Sequence, residues 1–142
     1  MKQLPKSDTS LLVRVSEGDD AGWARLKAAV ARENSDGFRA YVDIIDSAEW
    51  HRASFEQLRA AVPLNSNGAS VLFAADRTSL SSEELPVVVI DLLQARPEFR
   101  CVASQLWAVE NNLNISNMDW EEFSHSTDAD GIYRGLRDPQ SL

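Results

Sequence analysis

The chain has 142 residues, 44% hydrophobic and 25% charged, with a formal net charge of −8 from 22 acids and 14 bases. It is long enough to build a core without staples and too apolar to stay disordered. Its acidity excludes nucleic acid as a natural partner, and its longest apolar run, "LPVVVIDLL" at 85–93, is far short of the roughly 20 residues that span a bilayer.

In chain order, "LLVRV" (11–15) is a β-branched run and reads as a first strand. Asp19 or Asp20 can cap the helix that follows, where Trp23, Leu26 and Val30 form an apolar stripe at spacings of three and four. Gly37 marks a turn, a second strand is expected over 38–45, and "SAEWH" reads as a short turn of helix. "SFEQLRAAVP" is a cleaner helix signal. Ser54 and Gln57 have capping-box spacing, Phe55, Leu58 and Val62 make the stripe, and Pro63 ends it.

"SVLFAA" (70–75) and "VVVIDLL" (87–93) are apolar at consecutive positions, as strands covered on both faces must be. "DRTSLSSEELP" between them reads as a polar connection. "FRCVA" (99–103) reads as a fifth strand, antiparallel to the fourth because the link is short. The order predicts one α/β domain over 1–142, with a mixed, mainly parallel sheet of about five strands and flanking helices. The first three strands should run parallel.

The C-terminal third carries the most distinctive run, "WAVENNLNISNMDWEEF" (107–123). Ser104 is placed to cap a helix through about Leu113, with Leu106, Val109 and Leu113 on its apolar face. Steps of 100° put Glu110 at the edge of that face and send Trp107 and Asn111 away from it. Trp107 is then either covered by the last segment of the chain or exposed as an interface anchor. Asn111 and Asn112 either hydrogen-bond neighbouring loops or form a polar recognition surface. Asp119 and Glu122 have capping-box spacing, and Met118 and Phe123 occupy the positions of a hydrophobic staple around Trp120.

No Lys or Arg lies between Arg100 and Arg134, while Glu110, Asp119, Glu121, Glu122, Asp128 and Asp130 do. Such a face would attract a basic protein.

Several stretches, "LLVR", "DGFRAYV", "FAADRT", "VVVIDL", "WAVENNLNISNMDWEEF" and "DADGIYRG", together resemble a family of small bacterial proteins, the domain-of-unknown-function 6924 family. The resemblance covers nearly the whole chain. It implies a shared fold and a bacterial cytoplasmic setting, and it supplies no activity and no site residues.

Catalytic motifs are sparse. Strand-end acids (Asp43, Asp46, Asp76, Asp91) could gather Mg²⁺ at the carboxyl edge of an open sheet, with Asp76 and Asp91 as the metal-site alternative. No glycine-rich phosphate loop accompanies them. "TDADGI" has part of a calcium-loop spacing, but Arg137 stands where a bidentate glutamate belongs, so a turn is expected. Two histidines and the single Cys101 make no conventional zinc set. One cysteine and an N-terminus without a long apolar stretch fit a reducing cytoplasm.

The expectation is a non-catalytic interaction domain, of an inhibitor or immunity type, binding a basic partner through Trp107, Glu110, Asn111, Asn112, Asp119 and Trp120. No cofactor, membrane or nucleic acid is expected. The alternatives are a Mg²⁺-dependent phosphoryl-transfer or hydrolytic enzyme and a small-ligand sensor near Asn111 and Asn112.

Overall fold

The computed structural model describes residues 2–63, 69–115 and 118–135. Strands β1 (Ser10–Arg14), β2 (Val42–Ile45), β3 (Val71–Ala75), β4 (Pro86–Asp91), β5 (Phe99–Val102) and β6 (Ile132–Tyr133) form one sheet in the order β2-β1-β3-β4-β5-β6. β1 pairs parallel with β2 and β3, β4 is antiparallel to both β3 and β5, and β6 is parallel to β5. The sheet is therefore mixed, with one strand more than expected and the first three parallel as anticipated.

The alternation of side chains along β1, β3 and β4 builds two cores. Leu12, Phe73, Ala75, Val87 and Val89 face one layer, and Leu11, Val13, Leu72, Ala74, Val88 and Ile90 face the other. The first layer holds α1 (Asp20–Ala31), α4 (Leu106–Asn114) and α5 (Trp120–Ser124), entering through Trp23, Leu26, Val30, Leu106, Val109, Leu113, Trp120 and Phe123. The second holds α2 (Phe55–Ala61) and the short 3-10 turn Ala48–Trp50, through Leu58, Ala61 and Trp50. Consecutive apolar residues in β3 and β4 are thus explained by cover on both faces.

Caps decide most of the boundaries. Asp19, in the left-handed region at φ 51°, accepts from the Gly22 N–H and starts α1. Ser54 and Gln57 form the expected capping box on α2. The connection at 76–86 is not merely polar: Asp76 caps α3 (Arg77–Ser81) through Ser79, and Leu80 enters the first core.

Two expected boundaries move. β2 begins at Val42 rather than at 38, because its partner β1 starts at Ser10, opposite Val42, leaving nothing for 38–41 to pair with. Ser104 does not cap α4. It lies inside a 3-10 turn, Ala103–Gln105, whose end passes directly into the helix, and Leu106 N–H bonds to Ala103 O. No helix among the described residues is long and apolar enough to cross a membrane.

Candidate functional site

The residues singled out in the C-terminal third fall on two helices and serve two different junctions. On α4, Glu110 is 7% exposed, and its Oε1 accepts the Tyr41 N–H at 2.5 Å and the Asn111 amide at 3.4 Å. Its Oε2 accepts the Asn114 amide at 3.1 Å. Asn111 Nδ2 donates to Arg39 O at 3.2 Å and to Trp107 O at 2.7 Å. Asn112 Nδ2 donates to Ala108 O, one turn back on its own helix, at 2.8 Å.

Asn114 continues the network, donating to Ser10 Oγ at 2.9 Å and accepting the Ser70 N–H at 2.9 Å. One row of helix side chains thus satisfies backbone or hydroxyl groups at the starts of β1 and β3 and in the strandless segment 39–41. Buried backbone polar groups need such partners, and here no ladder supplies them. Asn111 and Asn114 bond to neighbouring loops, those that precede β2 and β3, whereas the Asn112 amide bonds within its own helix.

Trp107 is covered from the same side. Its ring stacks on Phe38 with centroids 5.2 Å apart and planes 9° from parallel. It is partly buried against the first core. Cover comes from the approach to β2, and the end of the chain from 136 on, the other cover expected, lies outside the described residues. Phe38 itself is 51% exposed, Tyr41 49% and Ile44 39%. Among the described residues, three of the five exposed large hydrophobic side chains thus fall within seven residues, and the other two, Leu93 and Ile115, stand apart. Arg39 stacks over the Tyr41 ring at 4.6 Å. A strand pattern over 38–45 carries no signal for which of its side chains stay exposed.

Asp119 and Trp120 belong to the other junction. Asp119 is exposed at the start of α5, and its N–H donates to Glu122 Oε1 at 3.2 Å. Trp120 is buried edge-on against Phe99, with centroids 4.9 Å apart, and Arg96 lies over its ring at 5.5 Å. Both residues line a cleft of about 200 Å³ with Ser70, Asp91 and Arg96. Met118 and Phe123 both pack into the first core, as a staple requires.

The acids of this region are largely engaged. Glu121 pairs with Arg96 at 2.9 Å, while Asp128 and Asp130 pair with Arg134 at 2.8 and 2.7 Å. Arg134 also grips Glu84 at 2.7 Å. The guanidinium holds the Glu84 and Asp130 carboxyls below their ordinary range, and its own proton is held more tightly in return, first by Glu84.

The metal alternative fails on register. Val71, at the start of β3, lies opposite Asp91, whereas Asp76 follows the end of β3. Five residues at about 3.3 Å each put the backbones of the two aspartates ~16 Å apart. Each is also occupied. Burial pushes the Asp91 carboxyl up, but Arg96 Nε at 2.7 Å and the Leu93 and Arg96 N–H groups outweigh it and hold it low. Burial acts likewise on Asp76, which Arg100 (2.7 and 2.9 Å) and Ser79 bring below the carboxylate norm. Among the described residues no group of three or more His, Cys, Asp or Glu side chains could hold a metal. Asp128 and Gly131 close a turn, with the Gly131 N–H on Asp128 O at 2.9 Å, and the strand β6 follows. Cys101 is fully buried in the first core, and burial pushes its thiol far up, away from nucleophilic chemistry.

A charged junction that the sequence did not reveal lies where β1 and β2 end. Arg14, with a side chain only 7% exposed, donates to Ser16 O (3.0 Å), Gly18 O (2.5 Å) and Asp20 (2.8 Å). Asp46 lies 3.5 Å from Arg14 Nη1, accepts the Trp23 indole N–H at 3.0 Å, and sits 3.9 Å from His51 Nε2. That Nε2 is buried and makes no hydrogen bond. Only the three-dimensional return of 46–51 to β1 brings these groups together.

No curated protein matches the chain. The model of one family, the domain of unknown function DUF6924, matches residues 9–136, which takes in all six strands from β1 to β6. By that match the chain belongs to the DUF6924 family.

Proposed function

We propose that this domain is a non-catalytic protein-interaction module, of an inhibitor or immunity type in a bacterial cytoplasm, that receives an extended basic segment of a partner along the outer edge of β2. The observation that carries the reading is the position of the exposed apolar side chains. Phe38, Tyr41 and Ile44 lie on or next to β2, which ends the sheet on one side. An edge strand offers a row of unpaired N–H and C=O groups, and aromatic side chains beside it give an added strand something to pack on.

Overall charge favours a basic occupant. The chain carries −8, and around this edge the exposed Glu33, Asp36 and Asp43 outnumber Arg32 and Arg39, the latter engaged with the Tyr41 ring. A second copy would bring the same carboxylates opposite themselves, which disfavours self-pairing. Relative to the reading from sequence, Trp107 keeps a role as the ring beneath Phe38, whereas Glu110, Asn111 and Asn112 serve by fixing the backbone that presents Phe38 and Tyr41.

The reading is tested by placing a photo-crosslinking amino acid at Tyr41 or at Glu122 in cells expressing the protein. A discrete adduct from position 41, lost on Ile44→Lys, is expected. An adduct from position 122 alone would return the interface to the acidic C-terminal face.

A further inference from the structure

On the opposite side of the sheet, between the segment at 2–4, the turn at 48–53 and α2, lies a cleft of about 410 Å³ lined by Lys2, Glu49, Trp50, His51, Arg52, Gln57 and small alanines. We infer that this cleft is a binding site for a small organic anion with a flat apolar body, an aryl or acyl phosphate or carboxylate. The site is separate from the β2 edge and goes beyond the interaction reading.

Three observations carry it. The first is shape: the volume falls in the range of small-molecule sites, roughly 300–1,000 Å³. Its walls are well anchored, because Trp50 is 3% exposed and packs with Leu4, Leu58 and Ala61, and the Leu4 N–H bonds to Ala61 O at 2.8 Å. Ala53, Ala60 and Ala61 leave room where larger side chains would fill it.

The second is the placement of cations. In a chain of net charge −8, the lining brings Lys2 and Arg52 beside one carboxylate, Glu49, with the Arg52 guanidinium also paired to Glu17. The Lys2 ammonium lies 4.8 Å from the centre of the Trp50 ring, so a cation and an aromatic surface adjoin within one site. Lys2 also donates to the Glu49 carbonyl.

The third is backbone conformation. Arg52 is held at φ 69°, a left-handed conformation that an arginine adopts only at a cost. Its N–H is fastened to Val15 O at 2.8 Å, and its guanidinium meets Glu17, with Nε 2.8 Å from Oε1. The turn therefore ties the cleft to the loop after β1, at the carboxyl end of parallel strands, where open α/β sheets take their ligands. His51 links the same wall to Asp46 at 3.9 Å and through it to Arg14.

The experiment is a ¹⁵N-detected NMR titration of the full chain with phenyl phosphate, with inorganic phosphate and benzoate as separate arms. Phenyl phosphate should shift the amides of Trp50, Arg52 and Ala60, saturating in the millimolar range or below. Inorganic phosphate should bind about tenfold more weakly, because it cannot cover the apolar floor. Benzoate binding as well as phenyl phosphate would identify a carboxylate site, and weaker binding a phosphate site; both fit the class.

Ala60→Leu, at an exposed helix position, should keep the remaining spectrum and abolish binding. Arg52→Gly keeps the left-handed backbone while removing the guanidinium, and should weaken binding about tenfold. The inference is overturned if neither organic anion shifts these amides, if inorganic phosphate binds as tightly as phenyl phosphate, or if Ala60→Leu binds like the parent.

Discussion

Glu110 and Asp91 are buried carboxylates whose work is to hold backbone in place. Glu110 accepts one backbone N–H and two side-chain amides, so Glu110→Ala would strand the Tyr41 N–H and leave the Asn114 amide with Ser10 Oγ alone. An orphaned buried donor costs about 1–3 kcal/mol. Urea denaturation of Glu110→Ala should therefore show a loss of roughly 2 kcal/mol, where a residue serving only a surface would show almost none.

Asp91 gives a pH signature. Its folded pKa is depressed, so its contribution to stability is fully present above the unfolded carboxylate value and is lost as pH falls through the folded value. Asp76 acts in the same direction. Stability of the parent should decline below about pH 4. Asp91→Asn should be about 2 kcal/mol less stable at pH 7, because the charge-assisted hydrogen bonds from Arg96 and the loop amides are weakened while Arg96 keeps Glu121, and should show a shallower decline in the acid window. Denaturation midpoints measured from pH 2 to pH 7 check both statements.

At the scale of elements, Gly22 shows how a contact overrules propensity. Within a helix, replacing Gly with Ala normally gains up to about 1 kcal/mol, and Gly22 lies in the first turn of α1. Here the added Cβ would lie 2.3 Å from the Leu80 carbonyl oxygen of α3, so the two helices would have to part. Gly22→Ala should lower the melting temperature, with overpacking costing about 1–3 kcal/mol. A rise in melting temperature would mean that α3 is free to shift.

The same pairing of local and distant causes explains which elements could be read from sequence. The stripe Trp23, Leu26, Val30, the cap Ser54–Gln57 and the doubly buried β3 and β4 were legible because their causes lie within a few residues. β2 was overextended because its length is set by where β1 begins. α3 was missed although Asp76 and Ser79 sit three apart, since an aspartate at a strand end reads equally well as a turn. β6 has two residues and exists only because β5 offers an edge. Of the candidate site, the importance of Glu110, Asn111 and Trp107 was visible in their placement on α4. Their partners, Tyr41, Arg39 and Phe38, lie about 70 residues away in sequence, beyond the reach of periodicity.

For the molecule as a whole, the acidic C-terminal third and the exposed apolar side chains of the β2 edge are different surfaces. Acids of the first are held in ion pairs with Arg96 and Arg134, while Phe38, Tyr41 and Ile44 gather at the β2 end of the sheet. A titration of the ¹⁵N-labelled chain with a synthetic decapeptide of alternating Lys and Val tests this division most directly. Shifts concentrated at 38–45 and abolished by Ile44→Lys are the result expected of a strand added to β2. Shifts concentrated at 119–130, unchanged by Ile44→Lys, would contradict it.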